Sequence, residues 1–290
     1  MNELTCVWEI AATLGEGPLW VAHENAVYWV DIIKKQVHRL SLDSGAKKTW
    51  QFDIEVTSLA AREKGGFVGT IRDGFAFIDF EARSYEPIVL PEVEMHGNRF
   101  NDGKVDGYGR YWAGSMDTND ALENGSLYRL DPSLGLHKMD PNYIIANGPT
   151  FSKDGKTIYH TDTVKGCIYA FDLSESGDIS NKRIFIQLKD PAEGKPDGMT
   201  VDSEDCLWLC HFGGARITRY SPVGEILQVI PMPVPNITSC TFAGPNLDTL
   251  YITTARLHLN AEELGTYPLA GSLFACKPGV TGLPTPKFGG

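Results

Sequence analysis

Two carboxylates and two carboxamides stand at matching points of a recurring sequence pattern: Glu16 in GEGPLW, Asn101 in NDGKVD, Asn147 in NGPTF and Asp197 in PDGMTV. Two further copies carry hydroxyls there, Thr57 or Ser58 in VTSLAA and Thr238 or Ser239 in ITSCTF. Carboxylate and amide oxygens without thiols or paired histidines suit one hard or borderline dication, Ca²⁺, Mg²⁺ or Mn²⁺, and mixed sets of this kind also hold Zn²⁺ or Fe²⁺. Three protein ligands leave coordination positions for water and a substrate. Asn-Gly and Asp-Gly are also ordinary turn sequences, so each alone reads as a turn. Glutamate is not a turn former, and four oxygen-bearing side chains at equivalent positions act as a set.

The elements that must position this set are strands. Short alternating runs and turn dipeptides recur along the chain, and no window carries a long helical period with caps. Aromatic strands are expected at AVYWVD (26–31), GGFVGT (65–70), GRYWAG (109–114), KTIYHTD (156–162), CLWLCH (206–211) and TLYITT (249–254), spaced by 39 to 49 residues. Third strands should follow at 35–42, 74–80, 125–131, 166–172, 215–221 and 271–277. A period in the forties with about four strands per unit is that of a propeller blade. The expected fold is therefore all-β, a six-bladed β-propeller formed by residues 1–290 as one domain. Its last blade would be completed by TCVWEIA (5–11), which closes the ring and removes a free edge. The ring residues should stand just before each innermost strand, converging on one mouth of the central channel.

The 290 residues, 42% hydrophobic and 22% charged, describe an ordinary globular chain and exclude disorder, collagen and coiled coil. The formal charge of -11 would repel a phosphate backbone, so nucleic acid is not an expected partner. No apolar run approaches the ~20 residues of a membrane helix, and MNELTCVWEIAATLGEGP lacks a basic secretory n-region. A cytoplasmic location without membrane association follows as the expectation, with a monomer or weak homodimer as the assembly. The six cysteines are scattered, and Cys206 and Cys210 in CLWLC would lie ~13 Å apart in a strand, too far for a disulfide. Buried free thiols are expected.

LGEGPLW (14–20), NRFNDGKVDGYGRYWAGSM (98–116), NGPTFSKDGKTIYHTDT (147–163) and KPDGMTVDSEDCLW (195–208) resemble the regucalcin, gluconolactonase and arabinonolactonase family, also called senescence marker protein-30. The resemblance covers essentially the whole chain. TCVW (5–8), SNKR (180–183), TTAR (253–256) and YPLAGS (267–272) are similar to its bacterial xylonolactonases. The resemblance implies a six-bladed propeller that binds one divalent metal ion and hydrolyses sugar-acid lactones. It puts the metal ligands on Glu16, Asn147 and Asp197, three members of the ring read above. It puts substrate contacts on Arg99 and Asn101, and Asn119 falls near the point where some members carry a substrate-binding glutamate.

His160 and His211 lie on aromatic strands, where packing is the commoner role. Trp20, Trp29, Trp112 and Trp208 recur at equivalent positions, as packing between sheets requires. Ser115 and Ser239 lack the G-x-S-x-G setting of a serine nucleophile. The reading is a metal-dependent lactonase that opens a small sugar-acid lactone, an aldono- or aldaro-lactone, to the open-chain acid, with Asp197 as the base. Its alternatives are a calcium-binding regulatory propeller and a metal-dependent aryl esterase or phosphotriesterase.

Overall fold

The structure, a computed structural model, is described for residues 4–290. Six four-stranded antiparallel sheets form the blades of a six-bladed β-propeller. Their innermost strands are Gly15–Val21, Val56–Ala61, Asn98–Val105, Ala146–Phe151, Lys195–Val201 and Ile237–Ala243, which number the blades one to six. The second strands are the aromatic runs: Ala26–Asp31, Phe67–Ile71, Tyr111–Asp117, Thr157–Asp162, Leu207–Phe212 and Thr249–Thr254. In blade six the outermost place is taken by Thr5–Trp8, paired with Leu273–Cys276, so strands from both chain ends meet in one sheet.

Each sheet is apolar on both faces because each packs against two neighbours. Six clusters of buried side chains result, one at each blade junction. Tyr28, Trp50, Phe67 and Phe80 fill the first, Phe75, Phe100 and Tyr111 the second, and Trp208 and Phe242 the fifth. Trp29, Trp112 and Trp208 are fully buried, with Trp20 nearly so. The indole N–H groups of Trp112 and Trp208 donate to Asp106 and Asp202, each at 2.8 Å. Each of those carboxylates also accepts from a buried arginine, Arg110 or Arg219. The polar edge of each tryptophan is thereby satisfied inside an apolar junction. All six cysteines are free.

One structural device has no counterpart in the repeat. After the last strand, the chain crosses the face of the ring where the innermost strands end. Gly282 N–H donates to Leu247 O of blade six, Ser203 N–H of blade five to Thr281 O, Phe288 N–H to Ala61 O of blade two, and Gly289 N–H to Gly109 O of blade three. Phe288 is fully buried in the cluster between blades two and three. Phe288→Ala should therefore destabilise the protein by about 3–5 kcal/mol, the usual range for emptying a buried aromatic site. Chemical denaturation checks this, and an unchanged midpoint would mean the strap is not part of the cooperative unit.

Candidate metal and active site

A β-bulge interrupts every innermost strand near its start. Glu16 and Leu19 pair with Val30 and Tyr28, so three steps on one strand match two on the other. The same extra residue occurs between Phe100 and Gly103, Asn147 and Thr150, and Pro196 and Met199. Blades two and six carry it at Val56/Ser58 and Ile237/Ser239. The ring residues thus lie within the innermost strands, at the bulges, and not just before the strands as expected. Bulges re-aim side chains and interrupt pairing, which is how one end of six parallel-running innermost strands can turn polar groups into the channel mouth. Glycine directly follows the polar residue in three blades, after Glu16, Asn147 and Asp197, and comes one place later after Asn101-Asp102, for two reasons. Gly148 has φ +65°, a left-handed conformation. At Gly198 a Cβ would stand 2.3 Å from Ser239 Oγ, so the neighbouring blade excludes a side chain.

Glu16, Asn101, Asn147 and Asp197 are brought together and are all buried. Arg99 Nη1 donates to Asn101 Oδ1 at 2.7 Å and to its neighbour's carbonyl at Phe100, 2.9 Å away. Asn101 Nδ2 in turn donates to Asn147 Oδ1 at 2.8 Å and to Ala146 O at 2.9 Å. Asn147 Nδ2 donates to Thr163 Oγ1 at 3.0 Å. This chain fixes which way both amides face, leaving a lone pair of Asn147 Oδ1 available to a cation.

The carboxyl groups are held at an electrostatic cost. Burial and the nearby Asp102 raise Glu16 to about 8, partly opposed by the Gly17 N–H and Arg99. Burial, then Glu16 and Asp102, push Asp197 well above the ordinary carboxylate range. Asp197 Oδ1 is buried without a hydrogen-bond partner. A dication relieves both the repulsion and the orphaned oxygen, so Glu16, Asp197 and Asn147 fit one. Among the described residues, no three His, Cys, Asp or Glu side chains converge as a ready-made ligand cage.

The remaining positions divide. Thr57 and Ser58 are tied to Thr70 and Tyr111, and Thr238 donates to Gly15 O, so these hydroxyls brace the innermost strands. Asn119 sits exposed in the loop after Tyr111–Asp117, 3.5 Å from Asp117 Oδ1. Its neighbour Asp120 acts on the Arg99 guanidinium together with Glu55 and Glu16. His160 is fully buried against the Tyr143 ring at 4.6 Å, and burial lowers it to about 3. His211 Nδ1 meets Glu193 O at 2.8 Å, and burial lowers that ring to about 4. Both are neutral packing residues. Sequence reasoning missed Asp102, Lys104 and Glu55. The first two stood within NDGKVD, and their signal was the charge pair flanking a glycine.

The sequence of residues 14–256 matches the SMP-30/Gluconolactonase/LRE-like region. The chain is 36% identical over 291 residues to the 6-deoxy-6-sulfogluconolactonase of Pseudomonas putida, covering all of both chains. Its fold superposes on a luciferin-regenerating enzyme with a TM-score of 0.92, at 31% identity and 99% coverage of each chain. A calcium-binding regucalcin from Agrobacterium tumefaciens superposes with a TM-score of 0.94 at 26% identity, covering 99% of this chain and 97% of the other. This chain belongs to the SMP-30/gluconolactonase/LRE-like family.

Proposed function

We propose that this protein is a metal-dependent sugar-acid lactonase whose dication is held by Glu16, Asn147 and Asp197. The observation that carries the reading is the unpartnered, buried Asp197 oxygen beside Glu16, within the field of Arg99. Similarity to a protein named a sulfogluconolactonase supports the substrate class. Bound there, a dication supplies Lewis acidity that polarises the lactone carbonyl.

The residues do the rest. Asp197 takes a proton from the attacking water as the water oxygen bonds to the carbonyl carbon. The ring C–O bond then breaks, the departing oxygen regains a proton as a hydroxyl, and the acid is released as its carboxylate with one proton. Arg99 presents a planar donor fork to the sugar or to developing negative charge, and Asn101 holds that fork in place. Asn119, on the exposed loop beside Asp120, is a further substrate contact from the rim.

The test is proton release from xylono-, arabinono-, glucono- and galactono-lactones, with an aryl ester and a phosphotriester alongside, each with and without chelator. Chelator-sensitive opening of an aldonolactone above the two other ester classes is the expected result. Cation uptake without turnover on any substrate would make the protein a binding propeller instead. Arg99→Lys keeps the charge but loses the fork. It should reduce kcat/KM on the best lactone by about 10- to 100-fold, the worth of one or two charge-assisted hydrogen bonds. Dication affinity, measured calorimetrically, should change little, and an unchanged kcat/KM would remove Arg99 from the site.

A further inference from the structure

Arg99 stands on a short stub of strand. Only Asn98, Arg99 and Phe100 pair with the neighbouring strand, opposite Asp117, Met116 and Ser115, before the bulge interrupts the ladder. Pairs at a strand end open most readily, so this stub needs an anchor outside the ladder. Blades one and four show one solution. The buried aspartate that ends the second strand accepts backbone N–H groups from the lead-in to the innermost strand: Asp31 from Thr13 and Leu14 at 2.8 and 3.1 Å, and Asp162 from Ile144 at 3.3 Å. In blade three the equivalent Asp117 serves the loop after it instead. It accepts from Ala121 and Leu122 N–H at 3.0 and 2.9 Å, in the loop that carries Asn119 and Asp120. The lead-in to Asn98 must be held by another group.

Glu92, buried in that lead-in, is the group. Its Oε2 accepts from Asn98 Nδ2 at 3.0 Å, and its Oε1 from Ser115 Oγ at 2.6 Å and Tyr128 OH at 3.0 Å. One carboxylate thus ties the lead-in, the first residue of the innermost strand and two further strands of the same blade. Backbone bonds fold the loop around it, Met95 N–H donating to Glu92 O at 2.8 Å and Asn98 N–H to Met95 O at 2.7 Å. Side chains alternate along a strand, so drawing Asn98 toward Glu92 sends Arg99 to the opposite face, where it meets Asn101. On the other side of Arg99, Phe100 N–H donates to Arg72 O at 2.8 Å.

We propose that Glu92 is the positioning residue of Arg99: by holding Asn98 it fixes the register and the face from which the guanidinium reaches a substrate. It acts through Asn98 and contacts neither substrate nor metal ion. The consequence is a separation of two effects. Loss of the Glu92–Asn98 bond should impair substrate use and spare metal uptake, because Glu16, Asn147 and Asp197 stand on blades one, four and five. Asn101, beyond the stub, is held independently by Ala146 O and Asn147 Oδ1.

The inference rests on the substrate role given to Arg99 above. A double-mutant cycle on kcat/KM for the aldonolactone opened fastest tests it, with Mn²⁺ uptake by calorimetry and thermal melts on the same samples. Asn98→Ala removes one bond and leaves Glu92 its other donors. It should lower kcat/KM by ~5- to 10-fold, roughly the worth of one buried hydrogen bond, with Mn²⁺ affinity within ~2-fold of the parent. Glu92→Ala should lose at least as much, and Asn98→Ala serves where that variant does not fold. Glu92→Gln should recover most of the loss, since its amide can accept from Ser115 and Tyr128 and donate to Asn98 Oδ1, a buried oxygen without a partner in the parent. Tyr128→Phe removes a donor that is not on the Arg99 strand, so it should lower the melting temperature and keep kcat/KM within ~2-fold. Added to Arg99→Lys, Asn98→Ala should cost little more, because both act through one guanidinium. Full additivity, or an unchanged kcat/KM in folded Asn98→Ala, would overturn the positioning role. So would a kcat/KM loss in Tyr128→Phe equal to that in Asn98→Ala, which would make Glu92 a prop of the fold alone. If Arg99→Lys itself keeps full kcat/KM, the substrate role of Arg99 fails and the positioning role with it, whatever the Glu92 and Asn98 variants do.

Discussion

Asp197→Asn is expected to lower lactone turnover by at least ~1,000-fold while leaving a folded propeller. A positioned general base contributes ~100- to 10,000-fold, and the same substitution removes a ligand charge. Asparagine is nearly isosteric, so the close approach of Gly198 to Ser239 is preserved. The effect on stability should run opposite to the effect on activity. Asp197 is buried against Glu16 and Asp102, and its ionised form is disfavoured on all three counts. The chelated variant should therefore melt no lower than the chelated parent at pH 8, the behaviour of a residue kept for function at the expense of stability. Glu16→Gln and Asn147→Ala should also abolish metal-dependent turnover. Rates and thermal melts on the same samples check this, and full activity in Asp197→Asn would dismiss both of its assigned roles.

The strands could be read from the sequence because their signals are local. Alternation and aromatic residues mark Ala26–Asp31 or Leu207–Phe212 within a few residues, and turn dipeptides punctuate the blade period. The ring was legible for a related reason: Glu16, Asn147 and Asp197 recur in step with that period. What could not be read was the extra residue in each innermost strand. In a regular strand Asn101 and Asp102 would face opposite ways. With a bulge between Phe100 and Gly103, Asn101 bonds to Asn147 while Asp102 still acts on Glu16. Position along the chain therefore did not reveal that Asp102 borders the site. Lys104 was hidden for a second reason, since its partner at Met199 lies two blades away and only ring closure brings them together. The strap was illegible because residues 278–290 follow no repeat. Its function depends on which exposed backbone groups the finished ring leaves on one face.

Exhaustive chelation should stop turnover, and the metal-free protein should remain folded, because the six junction clusters do not involve the ligands. Activity should return on adding back dications one at a time, with the stronger Lewis acids giving the higher rates where the oxygen set accommodates them. The pH dependence then tests the electrostatics independently of turnover. Glu16 sits at about 8 in the metal-free fold against an ordinary 4.5. A group raised on folding contributes stability that is complete below its unfolded value and is lost as pH rises through its folded value. Buried His38, His160 and His211 are shifted the other way, to about 4, 3 and 4, so their contribution changes only on the acid side of about 6.5. The informative interval is therefore about pH 7 to 8.5. Across it the chelated protein should lose thermal stability as pH rises, and the dication-loaded protein should lose less, so the stabilisation by metal widens toward the alkaline end. Loading below about pH 8 should also release protons from Glu16, measurable as a buffer-dependent binding enthalpy. Turnover that survives with no metal by elemental analysis would overturn the metal mechanism. Metal stabilisation that is flat across the interval would mean Glu16 is already ionised before the ion arrives.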